Sequence, residues 1–223
     1  PAPGQFDADL LRGLDFLLSE MGKRGMRAVV CLGNFWPWSG GMAQYVRWFG
    51  GESIPYPPPQ PGGSWDAYQK YTARFYSNSR AIEASELLIK TIVMRVNEYT
   101  KKRYTDDPTI MAWQLANEPR GIDKTGAFAL WIERTASLIK SLDPHHLVTT
   151  GSEGETPNPQ AAGVDFLANH SFKTIDYATA HIWAQNWGWY DPQNADATYP
   201  RAVSKMKAYL ADHSKKAVKL GKP

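Results

Sequence analysis

The chain has 223 residues, 43% hydrophobic and 13% aromatic, with 25 Lys and Arg against 22 Asp and Glu along its length; this suits one globular core and is unlike a disordered chain. A net charge of +3 and a pI near 8.9, carried by scattered basic residues, present no concentrated patch for nucleic acid. The single cysteine, Cys31, excludes an internal disulfide or a zinc cluster, and no apolar run approaches the ~20 residues that span a bilayer, so no membrane partner is expected.

Leu10, Leu11, Leu14, Leu17, Leu18 and Met21 recur at helical spacing, which predicts an amphipathic helix over 7–24 capped by Asp7 and ended by Gly25. The apolar run from Ala28 to Leu32 suits a strand covered on both faces, which would make Cys31 an inert core thiol. Residues 33–66, with "GNFWPWSGGMAQYVRWFGG" and "ESIPYPPPQPGGSW", read as a long loop with one short helical turn. Ordered loops this rich in aromatics favour a binding platform. Helical periodicity resumes over 66–104 as a short helix and then a long one, with Leu87, Leu88, Ile92, Val96 and Tyr99 on one face, until Asp107-Pro108 breaks it.

A second strand is expected over 109–117, then a helix over about 125–141 that buries Phe128, Trp131, Ile132, Thr135, Leu138 and Ile139. A third strand at 146–151, a short helix within "AAGVDFLANHSF", a fourth strand at 177–183 and a last helix over about 200–216 follow. Strands alternating with helices predict an α/β fold with a parallel sheet, and their recurrence suggests a (β/α) barrel. A typical barrel has eight strands in ~250 residues. Four strands leave two alternatives, an incomplete barrel or an open α/β sheet.

In a parallel barrel the active site lies at the carboxyl ends of the strands. Those ends carry Asn34 and Trp36, then Asn117 and Glu118, then Glu153, then His181 and Trp183. Carboxylate, amide, imidazole and indole around a cleft fit glycosidic bond hydrolysis, in which one carboxylic acid protonates the leaving oxygen and a second carboxylate attacks or activates water.

The stretch "WQLANEPRG" resembles the Asn-Glu-Pro strand end of clan A glycoside hydrolases. Together with the preceding "RVNEYTKKRYTDDPTIMA" and, in order downstream, "VTTGSEG" and "HIWAQNWGWY", it is similar to glycoside hydrolase family 5 endo-β-1,4-mannanases over most of the chain. The resemblance implies a (β/α)8 TIM-barrel type with about strands three to six present, residues 1–223 forming part of the catalytic domain. It implies endo-acting, retaining hydrolysis of β-1,4-mannosidic bonds in mannan, galactomannan or glucomannan, without cofactor or metal. Glu118 would be the general acid/base, which calls for a raised pKa, and Asn117 the amide on the sugar 2-hydroxyl. His181 would lie beside the catalytic carboxylates, and Arg120 and Glu153 would contact sugar on the leaving-group side. Trp36 and Trp187 would line the cleft, with Asn34 a further substrate contact and Trp38 and Trp189 extra stacking faces. Trp183 departs from the Tyr that many members carry there to bond the nucleophile, since indole donates one bond and accepts none.

The family's nucleophile is a Glu on the seventh strand, after a helix exit that commonly reads Gly-Lys-Pro. Gly221-Lys222-Pro223 matches that exit, so the nucleophile is expected beyond Pro223 and strands one, two and eight outside the chain. Glu153 and Glu155 follow the strand adjacent to that of Glu118 and are not taken as the nucleophile. Rival readings are a cellulase-like family 5 glycanase and a catalytically silent carbohydrate-binding fragment. Open barrel edges favour a complementary chain as partner, or a longer protein of which this is a piece. A polymeric substrate implies a secreted or periplasmic protein, although the chain shows no signal peptide.

Overall fold

In the computed structural model, which describes residues 2–223, helix α1 (Ala8–Lys23) starts where the Asp7 carboxylate accepts the Asp9 and Leu10 N–H groups. It stops at Gly25, whose φ of +66° is left-handed. Leu18 is buried, but Leu10, Phe16 and Leu17 stay exposed, so the apolar stripe meets the described core along only part of its width.

Strands β1 (Ala28–Cys31), β2 (Ile110–Gln114) and β3 (Leu147–Thr149) form one parallel sheet in that order. Val30, Trp113 and Val148 are matched across the ladders and share a face. That face is buried in the core formed with Ile89 of α4 (Ser79–Val93) and Trp131, Ile132 and Ile139 of α5 (Thr125–Leu142). The opposite face carries Val29, Cys31 and Leu147, all exposed. Cys31 is therefore not the core thiol expected from its strand, because helices cover one face of this sheet only.

The fourth expected strand, 177–183, does not join the sheet. One backbone bond remains, from the Asp176 N–H to the Val148 carbonyl at 2.8 Å, but side chains take the other positions: the Asp176 carboxylate accepts the Val148 N–H at 2.7 Å, and the Thr149 hydroxyl bonds the Tyr177 carbonyl at 2.9 Å. The segment still runs beside β3 and reaches the Glu153 carbonyl through the His181 N–H at 3.0 Å. Its direction is as expected; its hydrogen bonding is not.

Four helical features also differ. The region read as loop holds α2 (Gly41–Gly50), in which Met42, Ala43 and Val46 are buried, whereas α3 (Trp65–Ala73), capped by Ser64, is the short helix expected from 66. Gly41 has φ +54°, and a Cβ there would lie 2.4 Å from the Asn34 carbonyl, so a residue that weakens helix propensity is required at the start of α2. Helix α4 ends at Val93 because the buried Asn97 side chain competes for backbone bonds. Its Oδ1 accepts the Tyr99 and Thr100 N–H groups and its Nδ2 donates to the Asp15 carbonyl, leaving Val96 and Tyr99 exposed. The single short helix expected in 161–172 is instead two, α6 (Pro159–Ala162) and α7 (Phe166–His170), and α8 (Ala195–Leu220) begins before Pro200 and carries it inside.

Asp15, fully buried in α1, ties this loop to the helix. It takes Arg95 in a two-pronged bond of 2.8 and 2.5 Å and the Tyr104 hydroxyl at 2.6 Å. Removing one partner of such a pair strands the other, so Asp15→Ala should cost about 3–5 kcal/mol in urea unfolding; a loss below 1 kcal/mol refutes the bracing role.

Burial depresses the His170 imidazole to about 4, and burial likewise lowers His213. In both cases the unfolded chain binds the proton more readily. Their contribution is present above pH 6.5 and is lost as pH falls toward 4. The melting temperature should drop through that window, and His170→Gln should flatten the slope; parallel curves for the two proteins would exclude His170 as a cause.

Candidate active site

The chain beyond β2 is threaded between its neighbours. Asn117 N–H bonds the Gly33 carbonyl at 2.9 Å, Phe35 N–H bonds the Asn117 carbonyl at 3.1 Å, and Glu118 N–H bonds the Gly151 carbonyl at 2.9 Å. Gly151 permits this approach, since a Cβ there would lie 2.0 Å from the Ala116 carbonyl. Glu118 itself has φ +51°, a conformation rare outside glycine that marks a site where surroundings over-determine the backbone.

The Glu118 carboxylate, 6% exposed, receives three donors from two other strand ends. Trp36 Nε1 reaches Oε2 at 2.7 Å; His181 Nδ1 and Trp183 Nε1 reach Oε1 at 2.7 and 2.8 Å. Burial pushes this carboxyl up, and the three donors with the His181 charge outweigh it, so its pKa lies below the usual glutamate value. That is opposite to the raised pKa expected of an acid, and the cause is saturation of both oxygens by donors.

Glu153, 3% exposed, forms a two-pronged pair with Arg120 at 2.7 and 3.0 Å, and Arg120 also donates to Gln69 at 2.8 Å. Burial raises the Glu153 pKa despite the guanidinium. The Arg120 guanidinium lies 4.9 Å over the Trp36 ring, so one indole touches both acidic groups' systems.

These side chains line a cleft of about 440 Å³ whose apolar walls are Trp36, Trp38, Trp65, Trp183 and Trp187. Trp36, Trp38 and Trp65 form one cluster with ring centroids 5.7–6.1 Å apart. Of the residues expected here, Glu118, Trp36, Trp38, Arg120, Glu153, Trp183 and Trp187 line the cleft, His181 joins through Glu118, and Asn117 is not among the lining residues, its amide donating to Asn34 Oδ1 at 3.4 Å. Asn34 does not line it: its Oδ1 accepts the Trp36 N–H and the Asn117 amide, and its Nδ2 donates to Ser39, so it shapes the loop beneath. Trp189 is no stacking face either, being buried against Trp187 and Tyr209. Trp65, Gln69 and Asn186 were not anticipated. Ser64 as a cap followed by Trp65 and Gln69 four residues apart is the signal that places the last two on one helical face.

Parallel strands ending in a donor-held carboxylate beneath a wall of indoles define the class: an α/β protein with a strand-end cleft suited to stacking sugar rings. A family model described as "GH family 5 beta-mannosidase-like" matches residues 1–223. The chain belongs to this glycoside hydrolase family 5 group. It is 38% identical over 204 residues to "Putative mannan endo-1,4-beta-mannosidase 4" of Arabidopsis thaliana, covering 83% of this chain and 46% of that protein. "Mannan endo-1,4-beta-mannosidase 7" of Oryza sativa subsp. japonica is 35% identical, covering 95% and 56%. The crystal structure of a family 5 mannosidase from Rhizomucor miehei superposes on all of this chain and 52% of its own, with a TM-score of 0.89 and 40% identity. The endo-β-1,4-mannanase of Thermotoga petrophila gives 0.79 and 29%, over all of this chain and 48% of that one. The chain thus spans about half the length of these relatives, and its three-stranded sheet is an incomplete (β/α)8 barrel.

Trp36→Phe removes one of three donors while keeping an aromatic wall. The Glu118 carboxyl should then titrate at higher pH than in the unsubstituted chain, read from its 13C carboxyl resonance; an unchanged midpoint would show that the indole does not hold the charge.

Proposed function

We propose that this chain carries the acid/base half of an endo-acting, retaining β-1,4-mannanase. Glu118 protonates the leaving oxygen and later deprotonates the attacking water, and Asn117 bonds the sugar 2-hydroxyl. Arg120, Glu153 and Trp187 hold sugar on the leaving-group side, and Trp36 and Trp183 stack or bond near the scissile linkage. The observation that carries this reading is a single carboxylate, Glu118, held by indole and imidazole donors in an aromatic cleft at the strand ends. The mannan specificity is supported by the names of the relatives, one of which, the Rhizomucor miehei mannosidase, was also solved as a glutamate-to-alanine variant with mannosyl-fructose. On this reading the polymeric substrate favours a secreted or periplasmic protein.

A retaining pair needs a second carboxylate ~5–5.5 Å from the first across the bond. The other acidic group lining the cleft, Glu153, has both oxygens on Arg120, so the attacking carboxylate belongs to the part of the barrel that this chain does not span. That observation favours a second reading, a cleft that binds mannan without turnover.

Two measurements separate these. Reducing-sugar release from β-mannan, glucomannan and carboxymethylcellulose by a longer chain that supplies the remaining strands, beside its Glu118→Gln variant, should show mannan preference and a loss of about 10²–10⁴-fold in the variant, while the 223-residue chain alone should release none. Calorimetry with mannohexaose should show binding in both proteins. Binding without release by the longer chain supports the silent cleft; carboxymethylcellulose preferred over mannan, or release indifferent to Glu118→Gln, overturns the proposed chemistry.

A further inference from the structure

The leaving-group wall of the cleft is held from behind by α8, and the contact has the marks of a built device. The Tyr209 hydroxyl donates to the Glu153 carbonyl, the same oxygen that takes the His181 N–H at 3.0 Å. One carbonyl therefore joins the residue paired with Arg120 to the residue that bonds Glu118. The Tyr209 ring packs 5.4 Å from Trp187, which lines the cleft.

His213, one turn along α8, fixes the tyrosine. The two rings stack at 3.9 Å with a 28° tilt. His213 Nδ1 donates to the Tyr209 carbonyl at 2.8 Å, and Nε2 accepts the Glu155 N–H at 2.8 Å, so the imidazole is neutral with its proton on Nδ1. The loop is shaped to meet this pair. Gly154 has φ +82°, and a Cβ there would lie 2.5 Å from His213 Nε2 and 2.7 Å from the Tyr209 hydroxyl. Lys216 closes the far end on Glu155 at 2.5 Å. Glu153 and Glu155 are thus each bonded to α8, and Gly154 passes close against the two rings between them.

We propose that Tyr209, braced by His213, is a positioning residue: by fixing the Glu153 carbonyl it sets His181 against Glu118 and the Arg120–Glu153 pair against the cleft. The inference rests on the functional reading of those residues, but its geometry can be tested apart from it. Tyr209 touches no reacting atom. The proposed effect passes through the carbonyl, whereas a purely structural tyrosine would act only through its packing on Trp187 and His213.

The test compares imidazole nitrogen resonances of the intact 223-residue chain with those of Tyr209→Phe, Gly154→Ala and Met206→Leu, the last altering the same apolar cluster without a hydrogen bond. His181 is assigned by its loss in His181→Gln. Tyr209→Phe should shift the His181 Nδ1 resonance as well as those of His213, and Gly154→Ala should do the same from the loop side, giving a second route if the tyrosine variant folds poorly. Met206→Leu should leave His181 in place. An unmoved His181 in Tyr209→Phe, or equal movement in Met206→Leu, overturns the proposal. In calorimetry Tyr209→Phe should weaken mannohexaose binding roughly tenfold, the scale of one buried hydrogen bond. Absence of mannohexaose binding in the unsubstituted chain would count against the functional reading and leave the resonance result to decide the positioning role.

Discussion

The Glu118 carboxylate takes its three donors from segments that are distant in sequence, Trp36 after β1 and His181 and Trp183 after β3. A carboxylate this buried is costly unless every lone pair finds a partner. The strand ends must therefore keep their mutual register within a few tenths of an ångström. The backbone provides it: Asn117 is pinned to the β1 extension and Glu118 to the β3 extension, and the left-handed Glu118 backbone is tolerated because both neighbours fix it. Strain of about 1–3 kcal/mol persists only where the surroundings over-determine it. Here they do.

The same constraint separates the two acidic groups of the cleft. Glu118, saturated with donors, lies below the ordinary glutamate pKa; Glu153, more deeply buried, lies above it. The two differ in their partners: both Glu153 oxygens are committed to Arg120, whereas two of the donors on Glu118, Trp36 and Trp183, are rings that line the cleft. Trp36 connects the two systems, with its N–H on Glu118 and its face under Arg120. A sugar stacked in this cleft would exclude water from Glu118 and add to the burial that already opposes its charge.

The sequence was most informative where local chemistry is self-contained. The Asp7 cap, the buried stripe of Phe128, Trp131, Ile132 and Ile139, and the three strands recur in the structure within a few residues. The strand-end rule brought Glu118, Glu153, His181 and Trp183 together without any knowledge of distances. It failed where a distant partner decides the outcome. Asn97 ends a helix because Asp15 lies behind it, and Asp176 takes the Val148 N–H of a strand with its own carboxylate. Gly41 starts a helix where propensity argues against one, because the Asn34 carbonyl leaves no room for a side chain. Asn34 and Trp189 were misplaced for the same reason: composition shows that an amide or indole is near the cleft, but not which way it faces.

Exposed apolar residues complete the physical account. Val29, Leu147 and Met111 on the sheet strands and Leu10, Phe16 and Leu17 on α1 are large side chains left in contact with solvent, and β1 and β3 are edge strands. The relatives are about twice as long and superpose on the whole of this chain. The uncovered sheet face is where a barrel interior forms, and the edges are where further strands pair. Glu118, its donors and the Arg120–Glu153 pair all belong to the half seen here, and all are braced from within it. Under the proposed chemistry the second carboxylate comes from strands that pack on those edges, so closing the barrel and completing the pair are the same structural event.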